Sequence, residues 1–287
     1  MNTELSPAPR RDPVSREEWT MLLRRLGIKP SRAMGQNFLV EPQVVRDIAD
    51  VSGVTASSRV VEIGPGLGIL TRELLRRDCS VVGVELDDQL ARYLTYELRD
   101  EPRFSMERKD ARHIDVAEIT RNEPYQLVAN LPYSVATVII RHFVESPNPP
   151  TRLTVMVQLE VGERMTADPP EMSLLGLATQ LYTDASIQFF VPPVSFLPPP
   201  KVESAVLTLD VRAETGLSDD ERARLFELAT MVFQRKRKTI ANGLSQGLDR
   251  AKSEIETELS TVSIDPMRRP QTLTLDEWIH VTRAIGS

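Results

Sequence analysis

The feature that most constrains this chain is a short run in which an apolar strand passes through three glycines into a helix. Residues 59–68 read RVVEIGPGLG, and most residues before the first glycine are β-branched, as in a buried strand. Leu70 and Leu74 then recur at helical spacing. Glycines allow a tight turn and let a ligand lie against bare backbone, while a helix N-terminus favours a negative group. The run predicts a nucleotide-binding strand–turn–helix unit.

The spacing of the glycines narrows the choice of ligand. Gly64, Gly66 and Gly68 form G-x-G-x-G, whereas dinucleotide sites use G-x-G-x-x-G. The turn alone also fits a purely structural role. Glu85 follows the next apolar strand, where such folds place an acid on a ribose, and Asp110 follows a third strand, where an acid can reach an adenine edge. Three successive strand ends predict one adenosine-containing ligand, and the glycine spacing favours S-adenosylmethionine over a dinucleotide.

Strands and helices alternate from residue 60 onward, which predicts right-handed βαβ units and a parallel sheet. The predicted strands are residues 60–63, 80–84, the stretch before 110, 125–129 and 152–158, with 186–191 and 205–211 as an antiparallel hairpin at the sheet edge. The predicted helices are residues 17–27, 41–52, 69–77, 90–98, 137–143, 161–166, 174–181 and 275–285. We therefore expect the α/β class. Residues 1–16 are predicted to be a disordered tail, residues 17–213 a Rossmann-like sheet domain, and residues 214–287 a small all-α C-terminal domain.

Composition excludes several classes of protein. Cys79 is the single cysteine of 287 residues, which rules out an internal disulfide framework and a cysteine-based zinc cluster. His113, His142 and His280 have no metal-ligand spacing, so we expect no metal site. No apolar run approaches the length of a membrane span, and the polar N-terminus lacks the apolar core of a secretory signal. We expect a cytoplasmic protein with no membrane partner, and a monomer.

The tetrapeptide Asn130-Leu131-Pro132-Tyr133 follows the fourth predicted strand and suits methyl transfer to the exocyclic amine of adenine. That amine is a poor nucleophile, because its lone pair is delocalised into the ring. Two acceptors, the Asn130 side-chain oxygen and the Leu131 carbonyl, can bind its hydrogens and draw the nitrogen toward sp3 geometry. Pro132 stiffens the turn, and Tyr133 offers a face on which a base can stack. A turn with a buried tyrosine is the structural alternative.

A second aromatic residue, Phe196, lies in the proline-rich segment 192–200. Two roles remain open for Phe196 at this point. It can sandwich a base opposite Tyr133, or it can simply pack in the core.

Cations cluster in the C-terminal third of the chain, although the net charge is −6. Net charge describes the whole molecule, whereas a phosphate backbone responds to local patches. The candidate RNA contacts are Lys201, Arg235, Lys236, Arg237 and Lys238. The alternative for the run 235–238 is an ordinary solvated face.

Taken in order, these motifs resemble the ribosomal RNA adenine N6-dimethyltransferases of the KsgA type. The resemblance is carried by residues 35–39 (GQNFL), 61–68, 84–87, 110–111, 130–133 and 196–204 (FLPPPKVES). It implies S-adenosylmethionine held by Asn37, Leu39, Gly64, Glu85, Asp110 and Asn130. It also implies dimethylation of two adjacent adenosines in the 3′-terminal hairpin of small-subunit rRNA, on a pre-ribosomal particle.

Three departures from the family pattern fall outside this cofactor set. Leu159 replaces a lysine, residues 175–179 (LGLAT) replace Tyr-Gly-x-Leu-Ser, and Pro270-Gln271 replaces Ala-Glu. The alternatives are the related large-subunit methylase that confers macrolide resistance, and an assembly factor that methylates weakly. Leu131 and the segment 196–204 favour the small-subunit enzyme.

Overall fold

The structure is a computed structural model that describes residues 15–31, 35–235 and 237–285. The strands are β1 (Phe38–Leu39), β2 (Arg59–Ile63), β3 (Ser80–Val84), β4 (Phe104–Glu107), β5 (Gln126–Asn130), β6 (Arg152–Gln158), β7 (Thr183–Val191), β8 (Phe196–Leu197) and β9 (Ser204–Val211). The helices are α1 (Arg16–Arg25), α2 (Pro42–Ser52), α3 (Ile69–Arg76), α4 (Asp88–Glu97), α5 (Val116–Thr120), α6 (Ala136–Val144), α7 (Leu159–Met165), α8 (Leu174–Tyr182), α9 (Asp219–Phe233), α10 (Ile240–Leu248), α11 (Lys252–Thr261) and α12 (Leu275–Ile285).

Seven strands form one sheet in the order β4-β3-β2-β5-β6-β9-β7. Strands β4, β3, β2, β5 and β6 pair in parallel, and β9 runs antiparallel to both of its neighbours. Within this sheet the chain forms β2 first and adds β3 and β4 outward on one side of it. It then returns to form β5 on the other side of β2. This reversal creates a crevice at the carboxyl ends of β2 and β5, where open α/β sheets bind ligands. The predicted α/β class and the hairpin at the sheet edge are both confirmed.

Helices cover both faces of the sheet. Residues of α2, α3 and α4 pack on one face, where Ile48, Leu74 and Leu94 are fully buried. Residues of α5, α6 and α7 pack on the other face, around Phe143 and Leu153. Two of these helices have a side-chain N-cap. Glu41 accepts from the Gln43 N–H at the start of α2, and Asp87 accepts from two backbone N–H groups at the start of α4. The sheet is therefore buried on both sides, and its carboxyl ends are held in fixed register.

The N-terminal helix α1 packs against the outside of the glycine turn. Trp19, Leu22 and Leu23 share a small core with Phe38 and Leu67. Strand β1, which follows, pairs antiparallel with β8 as a separate two-stranded sheet. The Arg16 guanidinium donates to the Phe196 carbonyl at 2.8 Å, so α1 is also tied to β8. Neither short strand was predicted, because two residues are too few to show a period.

The C-terminal helices α9 to α12 form a second core. Phe233 and Trp278 stack there with ring centroids 5.6 Å apart. Ser218 begins α9 with a reciprocal capping box to Glu221. Helix α8 adds Leu177 to this core although it precedes β7 in the chain. The boundary at 213/214 and the tail at 1–16, of which residues 1–14 lie outside the described part, remain predictions.

No helix in the described ranges is both long enough and apolar enough to cross a membrane.

Candidate functional site

A cavity of about 280 Å³ opens at the carboxyl ends of β2, β3, β4 and β5. Its walls come from the glycine turn, the ends of these four strands and the N-terminal segment 35–39. The predicted site residues that line it are Asn37, Leu39, Gly64, Glu85, Asp110, Asn130, Leu131, Pro132 and Tyr133. The structure thus brings both predicted sets together, the nucleoside ligands and the amine-binding tetrapeptide.

The glycine turn leaves room for a ligand at one position and for packing at another. Gly64 has φ +65°, and a Cβ built there meets no atom within 4 Å. Gly68 has φ +81°, and a Cβ there would collide with Leu94 of α4. Gly64 therefore leaves an open backbone surface toward the cavity, whereas Gly68 lets α4 approach the turn.

Glu85 is held in place by backbone donors. Its Oε2 accepts from the N–H of Gly66 at 3.1 Å, and its Oε1 accepts from the N–H of Asp87 at 2.9 Å. Burial raises its pKa, and the two N–H groups oppose the rise. A carboxylate fixed in this way keeps its remaining lone pairs for hydroxyl groups of a ligand.

Glu62, the last polar residue of β2, is the least expected member of the cavity wall. Its side chain is 2 % exposed, and its Oε2 has no hydrogen-bond partner among the described residues. Burial raises its pKa to about 8, and the neighbouring Glu85 carboxylate adds to the rise. Thr71 opposes this rise by hydrogen bonding. A buried carboxyl with one oxygen unbonded beside a cavity suits a cationic ligand, because a positive charge favours the ionised form.

We expect Glu62→Gln to stabilise the protein increasingly as pH rises from 5 to 8. The unfolded chain loses the Glu62 proton near pH 4.5, whereas the folded chain keeps it up to about pH 8. Wild-type stability therefore falls through this interval, by at most about 1.4 kcal/mol per pH unit, and levels off above it. Urea unfolding of both proteins at several pH values measures the difference.

Glu160, an exposed glutamate on α7, supplies the matched Glu→Gln control. A Glu62→Gln difference that stays constant from pH 5 to 8 would contradict the raised pKa.

Asp110 is bound by an arginine that the sequence did not single out. The Arg112 Nε donates to Asp110 Oδ1 at 3.0 Å, and its terminal nitrogen donates to Oδ2 at 2.5 Å. This guanidinium lowers the pKa of Asp110 to about 2. Asp110 is therefore an ionised acceptor at the cavity mouth, with its orientation set by Arg112.

The Asn130 side chain is oriented by the N-terminal segment. Its amide nitrogen donates to the Asn37 carbonyl at 3.4 Å. Gln36, which precedes Asn37 in the chain, anchors this segment by donating at 3.0 Å to the carboxylate of Asp87, the residue directly before α4. With the nitrogen engaged by Asn37, the Oδ1 of Asn130 is left as an acceptor for a substrate.

Tyr133 is half-buried at the edge of the same cavity. Its hydroxyl lies 2.6 Å from the Ser204 hydroxyl at the start of β9. The ring therefore has a fixed tip and lies beside Asn130 and Leu131.

Phe196 requires a correction. Its side chain is 0 % exposed and packs with Leu39, Val191 and Val206 in the core below β8. It does not line the cavity, so it cannot sandwich a base opposite Tyr133 in this arrangement. The pairing of β8 with β1 places it inward, and core packing was the other role left open by the sequence.

The candidate RNA contacts lie outside the cavity. Arg235, Arg237 and Lys238 are exposed in the turn after α9, and none makes an ion pair with a described residue. Lys201 is exposed three residues before Ser204. Lys236 lies outside the described residues.

Three features of the site were not predicted from the sequence. They are the Arg112 contact with Asp110, the Ser204 contact with Tyr133, and the burial of the Glu62 side chain. The D-x-R spacing of Asp110 and Arg112 was a usable signal. The other two depend on contacts between distant segments or on burial, which spacing along the chain does not encode. No cluster of metal-ligand side chains occurs within the described ranges.

Comparison with known proteins gives one family. Residues 28–281 match the model of the family described as ribosomal RNA adenine dimethylase. A protein of Dehalococcoides mccartyi named ribosomal RNA small subunit methyltransferase A is 37% identical over 252 residues, covering 88% of this chain and 87% of that protein. A Clostridium perfringens protein of the same name is 38% identical over 267 residues, covering 92% and 93%.

Two solved structures are similar to this fold. The 23S rRNA methyltransferase ErmE has a TM-score of 0.70 and 25% identity, covering 88% of this chain and all of that one. A dimethyladenosine transferase from Plasmodium falciparum has a TM-score of 0.73 and 20% identity, covering 85% and 95%.

Proposed function

This chain belongs to the ribosomal RNA adenine dimethylase family, and from that premise we propose that it methylates N6 of adenosines in small-subunit rRNA with S-adenosylmethionine as methyl donor. The two relatives named ribosomal RNA small subunit methyltransferase A match this chain over 87% and 93% of their own length. We propose further that the targets are two adjacent adenosines of the 3′-terminal hairpin, each dimethylated. The RNA would be presented in a pre-ribosomal particle, in the cytoplasm, to a monomer of this protein.

The cavity suits the donor by its chemistry. S-adenosylmethionine supplies a methyl group made electrophilic by a sulfonium. Glu85 would accept from ribose hydroxyls, Asp110 would accept from the adenine amine, and Gly64 would leave backbone room beside them. The buried, unpaired Oε2 of Glu62 fits a ligand that carries positive charge. Asn37, Leu39 and Asn130 would form the remaining wall.

The acceptor side rests on one observation, the fixed orientation of Asn130. Because its amide nitrogen donates to Asn37, its Oδ1 is available to one hydrogen of the target amine. The Leu131 carbonyl would accept the other hydrogen, which pulls the nitrogen lone pair out of conjugation. Tyr133 would support the adenine ring by stacking. The amine loses its proton after attack, so the chain needs to supply position rather than a strong base.

The target must enter the cavity as an unpaired base. An adenine inside a helix presents its amine to its pairing partner, so it has to be flipped out or already unstacked. Adenosines at a hairpin loop meet this requirement at lower cost.

A basic surface offers contacts for the flanking RNA. We define it as Arg235, Arg237, Lys238 and Arg269, all exposed. The two loops that carry them are adjacent, since the Ile240 N–H donates to the Arg268 carbonyl at 2.7 Å. Cations without acidic partners can release counterions from a phosphate backbone when they bind it.

Arg237→Ala combined with Lys238→Ala is expected to weaken RNA binding and to flatten its dependence on salt. Removing two phosphate contacts should reduce the slope of log K against log salt by about 1.5. Fluorescence titration of a small-subunit hairpin at several salt concentrations measures the slope.

The matched control is Arg92→Ala combined with Lys252→Ala, because these cations already pair with Asp88 and Glu256 at 2.6 and 3.1 Å. If the test pair left the slope as in wild type, the run 235–238 would be only a solvated face.

The function is tested by incubating undermethylated small subunits and, in a parallel reaction, unmethylated large-subunit RNA with labelled S-adenosylmethionine, and by mapping the modified bases. We expect label on two neighbouring adenosines of the small-subunit hairpin. Label on large-subunit RNA would select the alternative favoured by the likeness to ErmE. Tight particle binding without label would select an assembly factor.

A further inference from the structure

The hydroxyl of Tyr133 is bound to a residue from a distant part of the sheet. Tyr133 follows β5, and its oxygen lies 2.6 Å from the Ser204 Oγ at the first position of β9. Ser204 is 0 % exposed, so its hydroxyl has no competing water at its surface. A short hydrogen bond between a half-buried phenol and a buried hydroxyl is well formed by distance.

The position of Ser204 is set by strands on both sides. It pairs with Gln158 of β6 and with Val191 of β7. Directly before it, the Glu203 carbonyl accepts from the Leu159 N–H at 3.0 Å. Its hydroxyl is therefore a rigid point of the sheet rather than part of a loop.

The strand β6 also fixes the other end of the tetrapeptide. Asn130 pairs with Met156, and the Leu131 N–H donates to the Met156 carbonyl at 3.2 Å. The acceptors of the target amine and the anchor of Tyr133 are thus both held by the same few residues of one strand.

We propose that Ser204 is a positioning residue, which fixes the Tyr133 ring so that its face supports the target adenine beside Asn130. The inference rests on the proposed function of the site. With its backbone held by Pro132 and its tip held by Ser204, the ring is held at both ends. Stacking then positions the base without the loss of ring freedom that a loose tyrosine would incur.

The test compares Ser204→Ala, Tyr133→Phe and the double variant by steady-state methylation of small subunits. Each single change removes the hydrogen bond and keeps the ring. We expect each to lower kcat about tenfold, with the affinity for S-adenosylhomocysteine unchanged. We expect the double variant to lower kcat about tenfold as well, because both changes remove one interaction. Thr208→Val is the matched control, since its hydroxyl lies on the same strand and bonds to Ser186 instead.

The outcomes separate cleanly. Wild-type kcat in Ser204→Ala, with the fold intact by circular dichroism, would overturn the positioning role and leave the proposed function standing. A hundredfold loss in the double variant would also overturn it, because the two residues would then act independently. A wild-type protein that labels no small-subunit RNA would refute the proposed function itself, and the inference with it. Should Ser204→Ala fail to fold, Tyr133→Phe alone decides, since it leaves the sheet untouched, and unchanged kcat in that variant would contradict the inference.

Discussion

Replacing Asn130 with alanine is expected to lower the kcat of adenosine methylation by about a thousandfold while the protein stays folded. The side chain is half-buried at the end of β5, and its only bond to a described residue is the 3.4 Å contact with Asn37. Its removal therefore costs little stability. It removes one of the two acceptors that make the amine nucleophilic, an effect realised in the transition state. Single-turnover methylation, with the protein in saturating excess over small subunits, measures the rate constant of methyl transfer directly.

Gln43→Ala is the matched control for Asn130→Ala. Gln43 is an exposed amide on α2, bonded to Asp47 and Arg46 away from the cavity. Its loss should leave kcat as in wild type. An Asn130→Ala protein that retained full kcat would remove Asn130 from the chemistry and leave the Leu131 carbonyl as the only candidate acceptor.

Replacing Glu85 with glutamine is expected to weaken binding of S-adenosylhomocysteine about a hundredfold. The carboxylate accepts from two backbone N–H groups, one on each oxygen. A carboxamide can keep only one of these bonds, because its NH2 group cannot accept. The side chain must then lose its bond to the Gly66 N–H or its bond to the Asp87 N–H, and its NH2 group faces the N–H that is left without an acceptor. Isothermal titration calorimetry gives the dissociation constant.

Asp88→Asn controls for loss of a carboxylate in the same region. Asp88 is a partly exposed residue of α4 that pairs with Arg92 and lies outside the cavity. The Asp88→Asn protein should bind S-adenosylhomocysteine with the wild-type dissociation constant. Equal affinity in Glu85→Gln would mean that the acid only braces the turn.

The sheet was accessible from sequence because its signals are local. Residues 80–84 and 152–158 were predicted with the bounds that β3 and β6 have, since each is mainly apolar, as in a strand with a neighbour on both sides. The order of Gly64, Glu85, Asp110 and Asn130 along the chain then specified the cavity wall. Parallel strands have their carboxyl ends at the same edge of the sheet. Residues that follow successive strands can therefore be predicted to line one site.

The misses share a different cause. Phe196 carries the same side chain whether it stacks on a base or packs in a core, and only the pairing of β8 with β1 decides between the two. Helix α5 has five residues, too few for a helical period. The protonation of Glu62 depends on burial, which no spacing rule reports. The orientation of Asn130 and Tyr133 depends on partners that lie far away in the chain.

The pairing of β1 with β8 also has a consequence for synthesis on the ribosome. The wall that carries Asn37 and Leu39 is completed only when residues 196–197 have emerged, long after the glycine turn has been made. A nascent chain halted before that point would have the nucleoside-facing strand ends but an unsealed flank. Retention of the chain on immobilised S-adenosylhomocysteine should therefore begin abruptly with truncated chains that extend beyond β8, so that ligand capture reports when this wall is completed during synthesis.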